Sequence, residues 1–184
     1  MLVFGLRCMS GNISTSLTFS WLTMKKIHIA VENELVQLTN QLIDNQTLPL
    51  TIMLFHPEGY RKIASKDMSA MTLGRAYLHE SEATCYAIIF DGAYEDPIDG
   101  ALDCLTCAIV TRDGNARVEH TPYIRQAGTI EFQERRLALT DAPYLHLFDP
   151  LDESRYDMKL IHQLLDDVCE SGLSEYSDFI IASC

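Results

Sequence analysis

Apolar residues recur at helical spacing in the first third of the chain. Val31, Leu35, Leu38 and Leu42 fall at i, i+4, i+7 and i+11 and predict one helix over 30–44, closed by Asn45 and Pro49. Leu50 to Phe55 is a short apolar run and predicts a strand, followed by a turn at His56-Pro57-Glu58-Gly59. Met68, Met71, Ala76 and Tyr77 give a weaker helical face, read as a helix over 69–79 despite Gly74. From Cys85 to Phe90 every position is apolar, which predicts a strand covered on both faces.

The next stretch alternates and turns. Residues 91–100 are rich in Asp, Gly and Pro and read as a loop. Residues 101–111 and 116–125 read as a hairpin around Asp113-Gly114, because Gly supplies the positive φ that the turn needs. Gln126-Ala127-Gly128 is a second turn, and 129–139 returns as a fourth strand. After Pro143 and Pro150, Ile161, Leu164, Leu165, Val168 and Cys169 form the stripe of a last helix. Asp152 or Ser154 would cap it and Gly172 would stop it. The tail Phe179-Ile180-Ile181 reads as a short strand. The expected fold is α+β: an antiparallel sheet of four to five strands, with a meander over 85–139, packed on one face by two or three helices.

A chain of 184 residues suggests one domain with a sizeable core. Residues 1–23 stand apart, with no acid, one Arg and seven Ser or Thr. They read as an extension outside the core, with Met24 as an alternative start and 24–184 as the domain. They lack the continuous apolar core and the cleavage site of a secretory signal. No apolar run approaches the ~18 residues of a membrane span.

The net charge of −12 is uneven: residues 149–178 hold nine acids against Arg155 and Lys159, a local charge of −7. That balance argues against generic binding to nucleic acid or anionic membranes. Arg112, Arg117, Arg125, Arg135 and Arg136 give the hairpin region a basic bias and mark it as an interaction surface. Six scattered cysteines do not form a disulfide framework and suggest a reducing, cytoplasmic setting.

Cys104-x-x-Cys107 has the spacing of redox and zinc sites, but the pair lies within a predicted strand. Residues three apart there point to opposite faces, so core cysteines are expected. No two of the six histidines share the i, i+4 spacing of helical metal ligands, and His79-Glu80 lacks the second His of a zincin. Phosphate-cradling glycine loops and the nucleophile elbow are missing from the sequence. A Cys–His pair assembled in space would join His120 to Cys85 or Cys107.

Two functions follow as expectations. The first is a small soluble accessory or protein-interaction module without catalysis and without a cofactor, self-associating or docking on a charged protein partner. The second is a metal-assisted hydrolase, with a divalent cation held by Asp91, Glu95, Asp96, Asp99 and His120.

Overall fold

The computed structural model describes residues 13–44, 46–57, 59–66, 69–96, 100–126, 128–155, 157–170 and 178–180. Side chains are described for these except 13–23, 69, 155, 164, 165, 167–170 and 178–180. In chain order the elements are α1 (Ile13–Ile43), β1 (Leu50–His56), β2 (Gly59–Ser65), α2 (Ser69–Glu80), β3 (Cys85–Asp96), β4 (Gly100–Thr111), β5 (Ala116–Gln126), β6 (Thr129–Phe132), β7 (Arg136–Ala138), α3 (Met158–Glu170) and β8 (Asp178–Ile180). Short 3-10 turns at Pro143–Leu145 and Glu153–Arg155 lie between β7 and α3.

The α+β class is as expected, and the sheet is larger than expected. Eight strands run in the order β6-β5-β4-β3-β1-β2-β8, with β7 also paired to β5. All pairs are antiparallel except β2 with β8. The meander β3-β4-β5 is in place, but its fourth strand is split into β6 and β7 by a break at 133–135. There Gln133 N–H donates to the Pro122 carbonyl at 2.8 Å.

Both faces of the sheet are covered, not one. On one face α1 buries Ile27, Val31, Leu35, Leu38 and Leu42 against Met53, Phe55, Ala87, Ile89 and Leu105. On the other, Leu73, Ala76 and Tyr77 of α2, Ile161 of α3, and Leu147 from the segment between β7 and α3 pack on Ile52, Leu54, Ile63, Tyr86 and Ile88. Successive residues of β3 therefore enter opposite clusters, which is why its sequence is apolar at every position from Cys85 to Ile89. Within this second layer Tyr86 ties the segment between β7 and α3 to the sheet: its hydroxyl donates to the Tyr144 carbonyl at 3.0 Å and accepts from Leu147 N–H at 3.3 Å.

Two expectations about elements need correction. The helix expected over 30–44 begins at residue 13 and continues unbroken through Met24, so the helical backbone crosses the composition boundary at residue 23. Residues 91–96 are strand rather than loop: β3 extends to Asp96 and pairs residue by residue with β4, which starts at Gly100. This hairpin end projects beyond the layers, with mostly exposed or half-buried residues. Backbone pairing sustains a strand there without an apolar stripe.

Candidate functional site

The β4–β5 turn sets what faces what. A two-residue loop at Asp113-Gly114 would place Cys107 opposite His120. The loop instead contains Arg112, Asp113 and Gly114, closed by Thr111 N–H to the Asn115 carbonyl at 2.9 Å. Gly114 takes φ +87°, the left-handed conformation that such three-residue loops require. The extra residue shifts the register by one and brings the other face of β4 round. Thr106, not Cys107, now pairs with His120.

The result is a polar cluster at one end of the α2 face of the sheet. His120 Nδ1 lies 2.9 Å from Thr106 Oγ1 and 3.8 Å from Cys104 Sγ. Cys104 Sγ and Thr106 Oγ1 are 3.4 Å apart. The imidazole stacks on the Tyr94 ring, with centroids 4.8 Å apart and planes 15° from parallel. Tyr94 O–H donates to Asp96 at 2.9 Å, and Arg136 pairs with Asp96 and donates to the Tyr94 hydroxyl. Cys104 is fully buried, and burial pushes its thiol up. Burial also holds His120 below its ordinary value. Both shifts favour the neutral forms, opposite to the thiolate–imidazolium pair of a nucleophilic cysteine.

The expected Cys–His partners are not the ones brought together. Cys107 lies on the α1 face, in the cluster with Leu105 and Ile109, and its thiol is pushed up to about 12 by burial. Cys85 lies in the same cluster and is likewise pushed up to about 12. Cys104 and Cys107 do point to opposite faces.

The acidic residues are divided between the faces of β3. Asp91 accepts from Tyr123 O–H at 2.5 Å on the α1 side. Asp96 is bound to Arg136 on the opposite side, beside His120's ring partner Tyr94. Glu95 is exposed, and Asp99 lies outside the described residues. Among the described residues, no group of three or more His, Cys, Asp or Glu comes together to hold a metal ion.

The arginines expected to form an interaction surface are largely engaged within the chain. Arg112 donates to the carbonyls of Leu78, Ser81 and Ala83, where it closes the end of α2. Its guanidinium also lies 4.8 Å from the Phe148 ring centroid. Arg117 pairs with Glu119 at 2.6 Å. Arg135 bridges Glu32 of α1 at 2.5 Å and Glu119 of β5 at 3.1 Å, which holds Glu32 below the usual carboxylate range. Arg125 lies against the Tyr123 ring at 5.3 Å. A cleft of about 60 Å³ between α1 and β5 is walled by the Glu32, Arg135, Glu119 and Arg117 side chains. It has room for about two waters and is well below the size of an ordinary ligand pocket.

A feature absent from the sequence reading is the sheet edge. Among the described residues nothing pairs with the outer side of β6 and β7. Beside that edge Leu137 is 73% exposed and Leu139 fully exposed. They stand two apart, so an extended backbone points both to one side. No family model, curated protein or solved structure matches the chain. Among the described residues, no helix is long and apolar enough to cross a membrane.

Proposed function

We infer that the chain is a protein-interaction module without catalysis, and that its docking element is the β7 edge. The occupant is an extended peptide that adds a strand to β7 and lays alternate apolar side chains on Leu137 and Leu139. The carrying observation is the exposure of these two leucines beside an edge that no described residue pairs with. Strand addition draws affinity from main-chain hydrogen bonds and selectivity from alternate side-chain contacts. Isolated exposed leucines are ordinary, but two on one side of an open edge make a patch.

The Cys104–Thr106–His120 cluster supports a structural role, since its groups are bonded to one another and favour neutral forms. The arginines support apolar docking over charged docking, because they are spent on internal partners. A reducing, cytoplasmic setting belongs to this reading and rests on the free thiols Cys85, Cys104 and Cys107.

The test is fluorescence anisotropy with a panel of labelled extended peptides carrying apolar residues at alternate positions. Saturable binding that persists at high salt and disappears in a Leu137→Lys/Leu139→Lys variant of unchanged melting temperature is expected. Loss of binding at high salt would point back to charged docking, since exposed ion pairs are screened. Equal binding by the double variant, or no saturation by any peptide, would reject the β7 edge.

A further inference from the structure

The outward side of α1 carries a second surface, unrelated to the sheet edge. Its inward stripe is buried, yet Ile29, Val36 and Ile43 are 53%, 59% and 47% exposed. They are spaced by seven residues on each side of Val36, the repeat that keeps one stripe facing a partner helix. The spacing is symmetric about Val36, so the stripe is complementary to itself when reversed.

We propose that α1 pairs antiparallel with α1 of a second copy of this chain, across a two-fold axis at Val36. A two-fold contact uses the same patch on both copies. Reversal about Val36 sets Val36 on its own copy and Ile29 on Ile43 of the partner. Two charges at the ends of the stripe fit the same arrangement. Lys26 and Asp44 are both exposed and lie on one side of the stripe, ten and eight residues from the axis in opposite directions. Reversal brings each Lys26 beside the other copy's Asp44, within about 3 Å along the helix axis. A parallel pair would instead set each Lys26 level with the other copy's Lys26, on the opposite side of the seam, with no Asp44 at that height. The contact from Lys26 to Asp44 spans about 27 Å of helix. The layer order of the dimer is sheet, α1, α1, sheet, which leaves the β7 edges free.

Sedimentation equilibrium on the full chain over a wide concentration range is the test. A monomer–dimer equilibrium is expected. Val36→Glu places two carboxylates at the axis and should raise the dimer Kd by about 30-fold or more. The variant's circular dichroism and melting temperature at low concentration should match the parent, because Val36 is outside the buried stripe. Lys26→Glu and Asp44→Lys should each weaken the dimer a few-fold, and the double exchange should restore it. A monomer at every concentration would overturn the proposal, as would a dimer indifferent to Val36→Glu. A dimer abolished by Leu137→Lys instead would place the self-contact on the sheet edge and overturn it equally. Charge exchanges that weaken the dimer singly and again when combined would overturn the antiparallel arrangement.

Discussion

Lys62 shows how a single residue can hide an element. It stands in β2 with its side chain only 8% exposed, paired at 3.2 Å with Glu34 of α1, which is equally buried. Arg61, next to it, is also buried and lies 5.7 Å from the Tyr77 ring centroid. Charged residues at consecutive positions give no strand periodicity, so β2 was not legible in the sequence. What makes it a strand is the ladder to β1 and the cross-layer pair, and both are long-range facts. The pair also gives a prediction. Among the described residues, the hydrogen-bond partner of Glu34 is Lys62. Lys62→Met should therefore cost about 3–5 kcal/mol, because it leaves a carboxylate buried without its counter-charge. Replacing both residues, as Glu34→Met/Lys62→Met, should recover most of that loss. Urea unfolding with an unchanged m-value would measure both variants. A double variant as unstable as the single one would mean that the pair stabilises beyond its own desolvation.

At the scale of elements, local signals were readable and register was not. The stripe Val31, Leu35, Leu38 and Leu42 and the two-faced strand at Cys85 appear as expected. The Asp113-Gly114 turn was visible too, but its loop has three residues. That one residue decided that Cys104 and Thr106, rather than Cys107, meet His120. The open edge at Leu137 was hidden for a different reason: the sequence of 129–139 does not say which side of a strand lacks a partner. Gly74 counted against a helix over 69–79, and its role emerges only from packing. A Cβ at Gly74 would sit 3.0 Å from Ile52 Cδ1 and 3.6 Å from its Cγ2, in the fully buried centre between α2 and β1. Gly74→Leu should thus destabilise by about 2 kcal/mol or more through overpacking, although leucine is the better helix former. Chemical denaturation would show it, and a stabilised variant would mean that α2 shifts freely on the sheet. Tyr86 ties a second element in place. Tyr86→Phe strands the Leu147 N–H in a buried position and should cost about 1–3 kcal/mol. Hydrogen exchange should report it as faster exchange at Leu147, with β1 less affected.

For the whole molecule, the balance of buried ionisable groups sets a pH window of stability. On the acid side, burial depresses His120 from 6.5. The unfolded chain then binds more protons than the native one below that pH, so stability falls as pH drops through this range. Glu32, depressed from 4.5 chiefly by its hydrogen bond to Arg135, adds a further loss at lower pH. On the alkaline side the sign reverses. Burial pushes Cys85 and Cys107 from 9.0 up to about 12, and burial with the Asp91 bond pushes Tyr123 from 10.0 up to about 12. Above pH 9 the unfolded chain sheds these protons first. Each such group lowers stability by up to about 1.4 kcal/mol per pH unit until its folded pKa is reached. A net charge of −12 at neutral pH adds self-repulsion in the same direction. Melting temperatures should therefore form a plateau between about pH 7 and 9 and decline on both sides. The arms can be separated by substitution. His120→Gln should flatten the profile just below pH 6.5 and leave the alkaline arm intact. Cys85→Ala/Cys107→Ala should flatten the arm above pH 9 and leave the acid arm intact, whatever its effect on the plateau height. An alkaline slope unchanged in the double alanine variant would assign that arm to tyrosine ionisation and general charge repulsion, and would remove the two thiols from the account.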